Sequence, residues 1–233
     1  MKKILYLFAL LFLFAGCKND LFIKLNMSDF KLEATSVVGV AELEIGACND
    51  YQNKSKESTD LLRLKRDIPE IIKNAEFQDC FSEDFRSIAR FNFPVEVIDI
   101  SNNTYDPKSD IIFFKTTNDN NVSVFALHLN EGFRKNVEQY QKEQLLGSNA
   151  DLNLYIALKN DTGKNINLIL QDSYQITQQN NKRGKEIIVE KPILRANGSI
   201  ELKNNQTLAF KLSNVLTDYL FQEGESVIIW NLD

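Results

Sequence analysis

The sequence is poor in histidine and cysteine, and this scarcity excludes several kinds of functional site. Its 233 residues include one histidine and three cysteines. Zinc sites use clustered Cys and His ligands, which this chain cannot supply in the required number. The cysteines also form no Cys-x-x-Cys pair, the spacing of common redox sites. We therefore expect neither a metal nor another cofactor.

Glycine is also sparse, and its spacing excludes the common nucleotide-binding loops. The nine glycines form neither Gly-x-x-x-x-Gly-Lys nor Gly-x-Gly-x-x-Gly, whose backbone amides hold phosphates. The Gly-x-Ser-x-Gly stretch that presents the nucleophile of many hydrolases does not occur either. The single histidine, His128, alternates with Ala126 and Val124 along a predicted strand, which favours a structural role. We therefore expect that the protein is not an enzyme.

Pairs of carboxylates are the remaining candidates for catalysis, because two carboxylates can hydrolyse a glycosidic bond. Such pairs are Glu83 with Asp84 and Glu42 with Glu44. Neighbouring acids on one strand or helix are more typical of a solvated face. Asp119 and Asp161 lie in loops without the alternating ligand pattern of a calcium site, so we expect plain turns there.

The chain carries no run of basic residues, which argues against a nucleic acid partner. It has 27 Lys and Arg against 32 Asp and Glu, a formal charge of -5. Binding to nucleic acid draws most of its affinity from basic side chains that meet phosphates. The 43% of apolar residues, with 16 phenylalanines among them, are enough for a substantial hydrophobic core.

The N-terminal segment has the pattern of an export signal. Lys2 and Lys3 precede an uncharged apolar run, 4–14, which ends at Ala15, Gly16 and Cys17. A helix that crosses a bilayer needs roughly 20 apolar residues, so a permanent transmembrane anchor is the weaker interpretation. We predict a signal peptide over residues 1–16.

The block from Phe14 to Cys17 resembles the bacterial lipobox, in which small residues precede an acylated cysteine. This resemblance implies diacylglycerol on the Cys17 sulfur, cleavage after Gly16 and acylation of the new amine. Two or three acyl chains hold a protein durably on a membrane. Phe14 stands where Leu is commonest, and a plain signal peptide or an uncleaved anchor is the alternative. In enteric-type bacteria, Asp after the cysteine commonly retains a lipoprotein at the inner membrane, so Lys18 favours the outer membrane.

A lipidated Cys17 leaves Cys48 and Cys80 as the two remaining cysteines in an oxidising compartment. We predict a disulfide between them, with two buried free thiols as the alternative. Closing a loop of that length stabilises a protein by about 3–4 kcal/mol in the chain-entropy model.

Alternation of apolar and polar residues predicts mostly strands, with helical periodicity over 61–76 and around 133–140. Within the first of these, Asp67-Ile68-Pro69-Glu70 predicts a fresh helix start capped by Asp67. We therefore expect two short helices there, or one kinked helix. The element order predicts an α+β fold, mainly antiparallel β-sheets with a few short helices. Strands are predicted at 21–32, 37–45, 88–97, 111–114, 122–129, 152–158, 166–170, 186–189, 199–202, 208–212 and 227–232.

Turn-forming residues predict how these strands connect. Residues 160–163 predict a hairpin between the strands at 152–158 and 166–170, residues 118–121 predict another, and Asn197-Gly198 is a further turn. Cys80 falls in a turn-like segment, and Pro94 predicts an edge strand. Residues 101–109 are the clearest linker. The predicted organisation is a signal peptide (1–16), an N-terminal α+β subdomain (17–100), the linker, and a C-terminal mainly-β subdomain with one helix (110–233).

Three segments resemble a family of lipoproteins found in phages, prophages and their bacterial hosts. They are Ala47-Cys48-Asn49-Asp50-Tyr51, the stretch from Ile68-Pro69 to Cys80, and Lys211-Leu212-Ser213-Asn214-Val215. The family has no established activity, so the resemblance implies an envelope location and a viral origin without naming a catalytic residue. It also implies a role at the host surface, such as exclusion of superinfecting phage.

We expect a non-enzymatic envelope lipoprotein that binds a protein partner at the membrane. The alternative is a periplasmic carrier of lipid or another amphiphile, because curved sheets and helices can enclose an apolar groove. A hydrolase is the third class, supported only by the scattered carboxylates.

Overall fold

The computed structural model describes residues 19–83, 86–101, 105–118, 120–143, 152–180, 186–193 and 199–232. Several predicted features lie outside the described residues: the signal peptide (1–16), Cys17, Lys18, Asp84, Asp119 and the Asn197-Gly198 turn. The predicted linker is described at residue 101 and from residue 105 onward.

Strands dominate the described residues, at 51% against 20% in helices. This agrees with the predicted α+β class. The helices are α1 (Thr59–Ile71), α2 (Glu131–Glu143) and α3 (Asn214–Gln222), and Met27–Asp29 forms a short 3-10 turn. The strands are β1 (Asn19–Asn26), β2 (Thr35–Ile45), β3 (Glu76–Glu83), β4 (Arg86–Asp99), β5 (Ile111–Thr117), β6 (Ser123–Leu129), β7 (Leu152–Lys159), β8 (Ile166–Leu170), β9 (Ser173–Asn180), β10 (Glu186–Ile193), β11 (Ile200–Leu202), β12 (Thr207–Leu212) and β13 (Val227–Leu232).

All of these strands belong to one curled, mixed sheet. Its order is β10-β9-β12-β7-β1-β2-β4-β5-β6-β13-β8-β11, and β3 pairs with β4 beside this path. Most neighbours are antiparallel, but β1 with β7 and β4 with β5 are parallel. The predicted mainly antiparallel pairing therefore holds for most neighbours, but the sheet is mixed. Alternation of residues marks a strand but not its direction, and long connections permit parallel pairing.

Strands from both sides of the predicted linker share this sheet and one hydrophobic core. The pairs β1–β7 and β4–β5 each join a strand from the first part of the chain to one from the second. The division into two subdomains stays a prediction.

Aromatic side chains fill the space inside the curled sheet. Trp230 stacks on Phe125 with ring centroids 5.1 Å apart, and Phe30 and Phe210 meet its ring edge-on. The largest side chains with less than 2% exposure are Trp230, Phe91, Phe113, Phe125 and Phe210. Burial of one such side chain contributes about 1.5–3 kcal/mol. Most phenylalanines of the described residues thus belong to the core.

The predicted hairpin between β7 and β8 is wrong. β7 pairs with β1 and β12, whereas β8 pairs with β13 and β11. The loop between them is closed by the buried side chain of Asn160, whose Nδ2 donates to the carbonyls of Lys164 and Leu202 at 2.8 Å. The turn residues therefore mark a loop that carries the chain to another part of the sheet.

Helix α1 is a single helix, so the predicted second start at Asp67 is wrong. The hydroxyl of Ser58 caps it by accepting a bond from the Leu61 amide at 3.1 Å. Pro69 lies in the last turn, where it offers no N–H to the Lys65 carbonyl, and the helix ends two residues later at Ile71. One helical face is buried against the core throughout, through Leu61, Leu64, Ile68 and Ile71.

Cys80 lies in strand β3 rather than in the predicted turn. β3 pairs antiparallel with β4, and the register shifts between Phe77 and Asp79, which indicates a bulge. Polar residues dominate β3, and this concealed it in the sequence.

Pro94 lies within β4, which has neighbours on both sides. It is opposite Val38 of β2. On the other side of β4, pairing with β3 ends at Asn92 and pairing with β5 begins at Glu96. Pro94 therefore lies where the other side of β4 has no partner strand, the kind of position in which a sheet tolerates proline. The predicted edge strand is thus not an edge over its whole length, and β4 lacks a neighbour on this one side beside Pro94.

Candidate partner-binding surface

The predicted disulfide is confirmed and lies where β2 gives way to the loop before α1. Cys48 and Cys80 are bonded, with Cα atoms 5.7 Å apart and 32 positions of sequence between them. The bond joins this loop to β3, and the Cys48 carbonyl also accepts a bond from the Ser58 amide at 3.0 Å. The alternative of two free thiols is excluded in this structure.

The outer face of the sheet carries a row of five side chains, of which three are aromatic, one is a valine and one is a lysine. We call Phe22, Val40, Tyr155, Tyr174 and Lys211 the aromatic row. Cross-strand partners place them side by side: Tyr174 with Lys211, Lys211 with Tyr155, Tyr155 with Phe22, and Phe22 with Val40. The row therefore crosses β9, β12, β7, β1 and β2 in that order.

Alternation along the strands places the aromatic row opposite the core. Phe22 lies between Leu21 and Ile23, which are 4% and 1% exposed, and Tyr155 lies between the equally buried Leu154 and Ile156. Every member of the row is half-buried. Its neighbouring side chains thus shield the row only in part.

The centre of the row is a stacked aromatic pair. The rings of Phe22 and Tyr155 lie 4.9 Å apart and within 13° of parallel. The Lys211 ammonium lies 5.9 Å from the centre of the Tyr155 ring. On β2, Val38 is 61% exposed and lies opposite Pro94, which extends the apolar surface. A solvated sheet face is normally polar, and exposed apolar surface of this kind often marks an interaction site.

Charged side chains border the aromatic row on the same face. Arg90 donates to Glu42 through Nε and Nη2, at 3.1 and 2.9 Å, and its Nη1 lies 3.5 Å from Asp79. Asn153 donates to Asp20 at 2.7 Å. Glu42, from one of the predicted carboxylate pairs, is thus engaged in an ion pair. Of the other pair, Asp84 and the side chain of Glu83 lie outside the described part of the chain.

A cleft of about 370 Å³ lies between α1 and α2. Its polar groups bond to each other: Arg66 Nε is 2.6 Å from Asp67, and Asn136 donates to the Glu70 carbonyl at 3.0 Å. The bond to Asp67 raises the pKa of Arg66. The cleft is lined by Arg66, Asp67, Glu70, Ile71, Asn136, Gln139 and Tyr140. These mutual bonds favour a role in joining the two helices.

His128 lies on the outer face of β6, with its Nδ1 3.2 Å from the Ser226 hydroxyl. Burial lowers the pKa of His128, and the positive charge of Arg134 lowers it further. Both effects favour the neutral ring. This environment favours the structural role that the sequence indicated.

Glu96 is a buried carboxylate that the sequence did not single out. It is 7% exposed, and its Oε2 accepts bonds from the amides of Lys108 and Ser109 at 2.8 and 3.0 Å. Burial and a hydrogen bond to Glu96 raise the pKa of Tyr105 to about 12. Glu96 thus holds residues 105–109 against β4. In the sequence it occupies an outward position of an alternating strand, which is typical of a solvated residue.

Asp99 closes the other end of this connection. It accepts bonds from Lys115 Nζ at 2.6 Å and from the amide and hydroxyl of Ser101 at 3.0 and 2.6 Å. Burial alone raises the pKa of Asp99, but the bonds from Lys115 and Ser101 outweigh it, so the pKa lies below its ordinary value.

Asp161, in the loop between β7 and β8, is also engaged within the protein. It accepts bonds from the amide and hydroxyl of Ser28, at 2.9 and 2.5 Å. In the ranges that the structure covers, no group of three or more His, Cys, Asp or Glu is arranged to hold a metal ion. Within those same ranges, no helix combines the length and apolar character needed to cross a bilayer.

Comparison with known proteins relates the chain to one family. No curated protein and no solved structure matches it. Residues 20–233 match the model of a family described as a domain of unknown function, DUF7424. The match includes every described strand and helix, since only Asn19 of β1 precedes it. The chain belongs to the DUF7424 family.

Proposed function

We propose that this chain is a lipid-anchored protein of the bacterial cell envelope, held on the membrane through Cys17, whose folded part binds a protein partner. The bond between Cys48 and Cys80 supports an exported protein, because disulfides persist in oxidising compartments and are rare in the cytosol. Lys18 directs the proposal to the outer membrane.

The aromatic row is the observation that carries the partner-binding part of this proposal. Aromatic side chains are enriched at the centres of protein interfaces, and polar and charged groups form the surrounding rim. Here the stacked pair of Phe22 and Tyr155 forms the centre, and the ion pair of Arg90 with Glu42 lies beside it. The stacking also fixes both rings before binding, which reduces the entropy that binding costs.

Site-specific crosslinking in the producing cell tests this surface. A photoreactive phenylalanine analogue placed at Tyr155 is expected to give one discrete adduct, whose partner mass spectrometry identifies. The matched control places the analogue at Ile228, which is 48% exposed on β13, four strands beyond β2 in the sheet. Equal adducts at both positions, or none at Tyr155, would count against the proposed surface.

The lipid anchor has a separate test. Replacement Cys17→Ser is expected to abolish incorporation of a labelled fatty acid and to prevent processing after Gly16. Fractionation of the native chain is expected to place it with the outer membrane. Unchanged labelling of the variant would refute the anchor, and recovery of the native chain only with the inner membrane would refute the outer-membrane assignment.

The resemblance to phage and prophage lipoproteins adds a biological hypothesis, in which the protein alters the host surface and excludes superinfecting phage. Expression in a susceptible host is then expected to reduce phage adsorption or plaque formation. Unchanged adsorption and unchanged sensitivity would contradict this version of the proposal.

A periplasmic lipid carrier is less well supported. The interior of the sheet, where a carrier would hold its ligand, is filled by side chains such as Trp230, Phe125 and Phe210. Native mass spectrometry of the purified protein separates the two functions, since a carrier would retain a lipid besides the acyl chains on Cys17.

A further inference from the structure

Strand β1 begins almost at the proposed lipid attachment point. Its first residue, Asn19, is two positions after Cys17. Two residues of extended chain span at most about 7 Å, so no long tether separates the domain from the acyl chains. The following inference rests on the proposed anchor at Cys17. We call the end of the sheet where β1 starts the anchor end.

The strand register shows which segments leave the sheet at the anchor end. Asn19 is opposite Leu43 of β2, so β2 continues past this level to Ile45 and leads into the loop 46–58. On the other side, Lys211 of β12 aligns with Tyr155 of β7, which aligns with Phe22 of β1. β12 runs antiparallel to β1, so α3, which begins three residues after Lys211, starts at the level of Asn19, three residues before Phe22. β12 and β1 are two strands apart, about 10 Å.

Both of these segments expose large apolar side chains. Tyr51, in the loop after β2, is 91% exposed. Val215 and Tyr219 are 73% and 42% exposed and lie four positions apart on one face of α3. Three of the seven exposed large apolar side chains in the described part of the chain therefore belong to segments that leave the sheet near the start of β1.

The fold holds these side chains outward. Helix α3 is fixed by its opposite face, where Thr217 and Leu220 are 5% and 1% exposed. The Tyr219 hydroxyl donates to Glu225 at 2.9 Å, which fixes its ring. Helix α3 and the Tyr219 ring are therefore already restricted in conformation before this face makes any contact.

The loop that carries Tyr51 is equally constrained. Asp50 Oδ1 accepts bonds from the amides of Gln52 and Asn53 at 2.9 and 2.8 Å, and the Asp50 amide donates to the Lys56 carbonyl at 2.9 Å. The disulfide ties the start of the loop to β3. The Lys54 ammonium lies 5.6 Å from the centre of the Tyr51 ring.

We propose that Tyr51, Val215 and Tyr219 rest in the headgroup region of the bilayer and form a second membrane contact beside the acyl chains. Tyrosine is enriched at membrane interfaces, where its ring is buried and its hydroxyl stays hydrated. Lysine can keep its charge in water while its stem lies along the apolar surface. Carboxylates such as Asp50 lie close by, so the contact is apolar and independent of anionic lipid.

Fluorescence quenching in vesicles of zwitterionic phosphatidylcholine tests the contact with the full lipidated chain. The native protein has one tryptophan, Trp230, which is fully buried and shielded from lipid. Tryptophan is placed at the anchor end by Tyr51→Trp or Val215→Trp. The control is Leu32→Trp, since Leu32 is 60% exposed but lies at the opposite end, where the Lys31 carbonyl accepts the Asp99 amide.

Lipids brominated along their acyl chains are expected to remove most of the added fluorescence at positions 51 and 215 and none at position 32. Higher salt is expected to leave the result unchanged. Vesicle flotation comes first: a chain that does not float refutes the lipid anchor and this inference with it. A chain that floats but shows no quenching at 51 and 215, or equal quenching at all three positions, overturns this inference alone.

Discussion

Replacement of Glu96 by glutamine tests whether one buried carboxylate holds the segment 105–109 on the sheet. The change keeps the shape of the side chain but removes the charge that the amides of Lys108 and Ser109 face. Hydrogen bonds to charged groups contribute about 1.5–3 kcal/mol, against about 1 kcal/mol for neutral partners. Weakening two such bonds at a position that is 7% exposed predicts a loss of about 2–3 kcal/mol in the free energy of unfolding.

Urea unfolding followed by circular dichroism measures this loss. The matched control is Glu42→Gln, which removes a partly exposed carboxylate from its ion pair with Arg90. Such pairs contribute about 0–1 kcal/mol, so this variant is expected to unfold close to the native chain. If Glu96→Gln also lies within about 0.5 kcal/mol of the native chain, a typical surface effect, the reasoning on Glu96 is wrong.

Tyr105 gives a second readout of the same site. Its pKa is about 12 because of burial and the bond to Glu96, and Glu96→Gln is expected to lower it toward its ordinary value. Absorbance titration, with Tyr105→Phe to identify the signal, measures this change. The stabilisation from a raised pKa is fully present below the unfolded pKa and is lost as pH rises through about 12. An unchanged pKa would show that Glu96 does not act on this phenol.

Three further outcomes are expected. Replacing both Cys48 and Cys80 with alanine should lower the free energy of unfolding by about 4 kcal/mol for this loop, and a loss below about 1 kcal/mol in urea unfolding would contradict it. The pKa of Asp99 is lowered, so this carboxylate stabilises the fold above its unfolded-state pKa, and the stabilisation is lost as pH falls through its folded-state pKa. Asp99→Asn should therefore weaken the acid dependence of the melting temperature. Gly163→Ala, at φ +81° in open space, should cost about 1–2 kcal/mol. Gly224→Ala, at φ +71°, should cost about as much, because the Arg134 guanidinium that the added Cβ meets is the far end of a flexible side chain and can move aside; a much lower melting temperature than that of Gly163→Ala would refute this.

The elements that could be predicted are those whose own residues show a clear helical or strand periodicity. Alternation marked β5 and β6, and the turn between them joined strands that pair directly. Helix α2 was predicted from Phe133 and its helical neighbours. The disulfide followed from compartment and cysteine count. These features require no knowledge of distant contacts.

Elements with a weak pattern of their own were missed. β9 and β3 are rich in polar residues, and backbone pairing joins β9 to β10 and β12 and joins β3 to β4. Helix α3 is short, but it carried one usable signal: Ser213, whose hydroxyl accepts the Leu216 amide at 3.2 Å, is a favoured N-cap residue.

The candidate surface could not be predicted because its residues come together only through strand order. Phe22 and Tyr155 are more than a hundred positions apart, and a parallel pairing sets them side by side. The failed hairpin at 160–163 shows the same limit, since a turn signal indicates that the chain reverses but not which strand it meets.

The placement of β1 between β7 and β2 has a mechanical consequence for a protein held at its N-terminus. With the anchor proposed at Cys17, a pull from the bilayer would act along β1, whose hydrogen bonds run to β7 on one side and to β2 on the other. The load is then in shear, so many bonds must break together instead of opening one after another from an end. A domain fastened in this way resists being drawn apart by its own anchor.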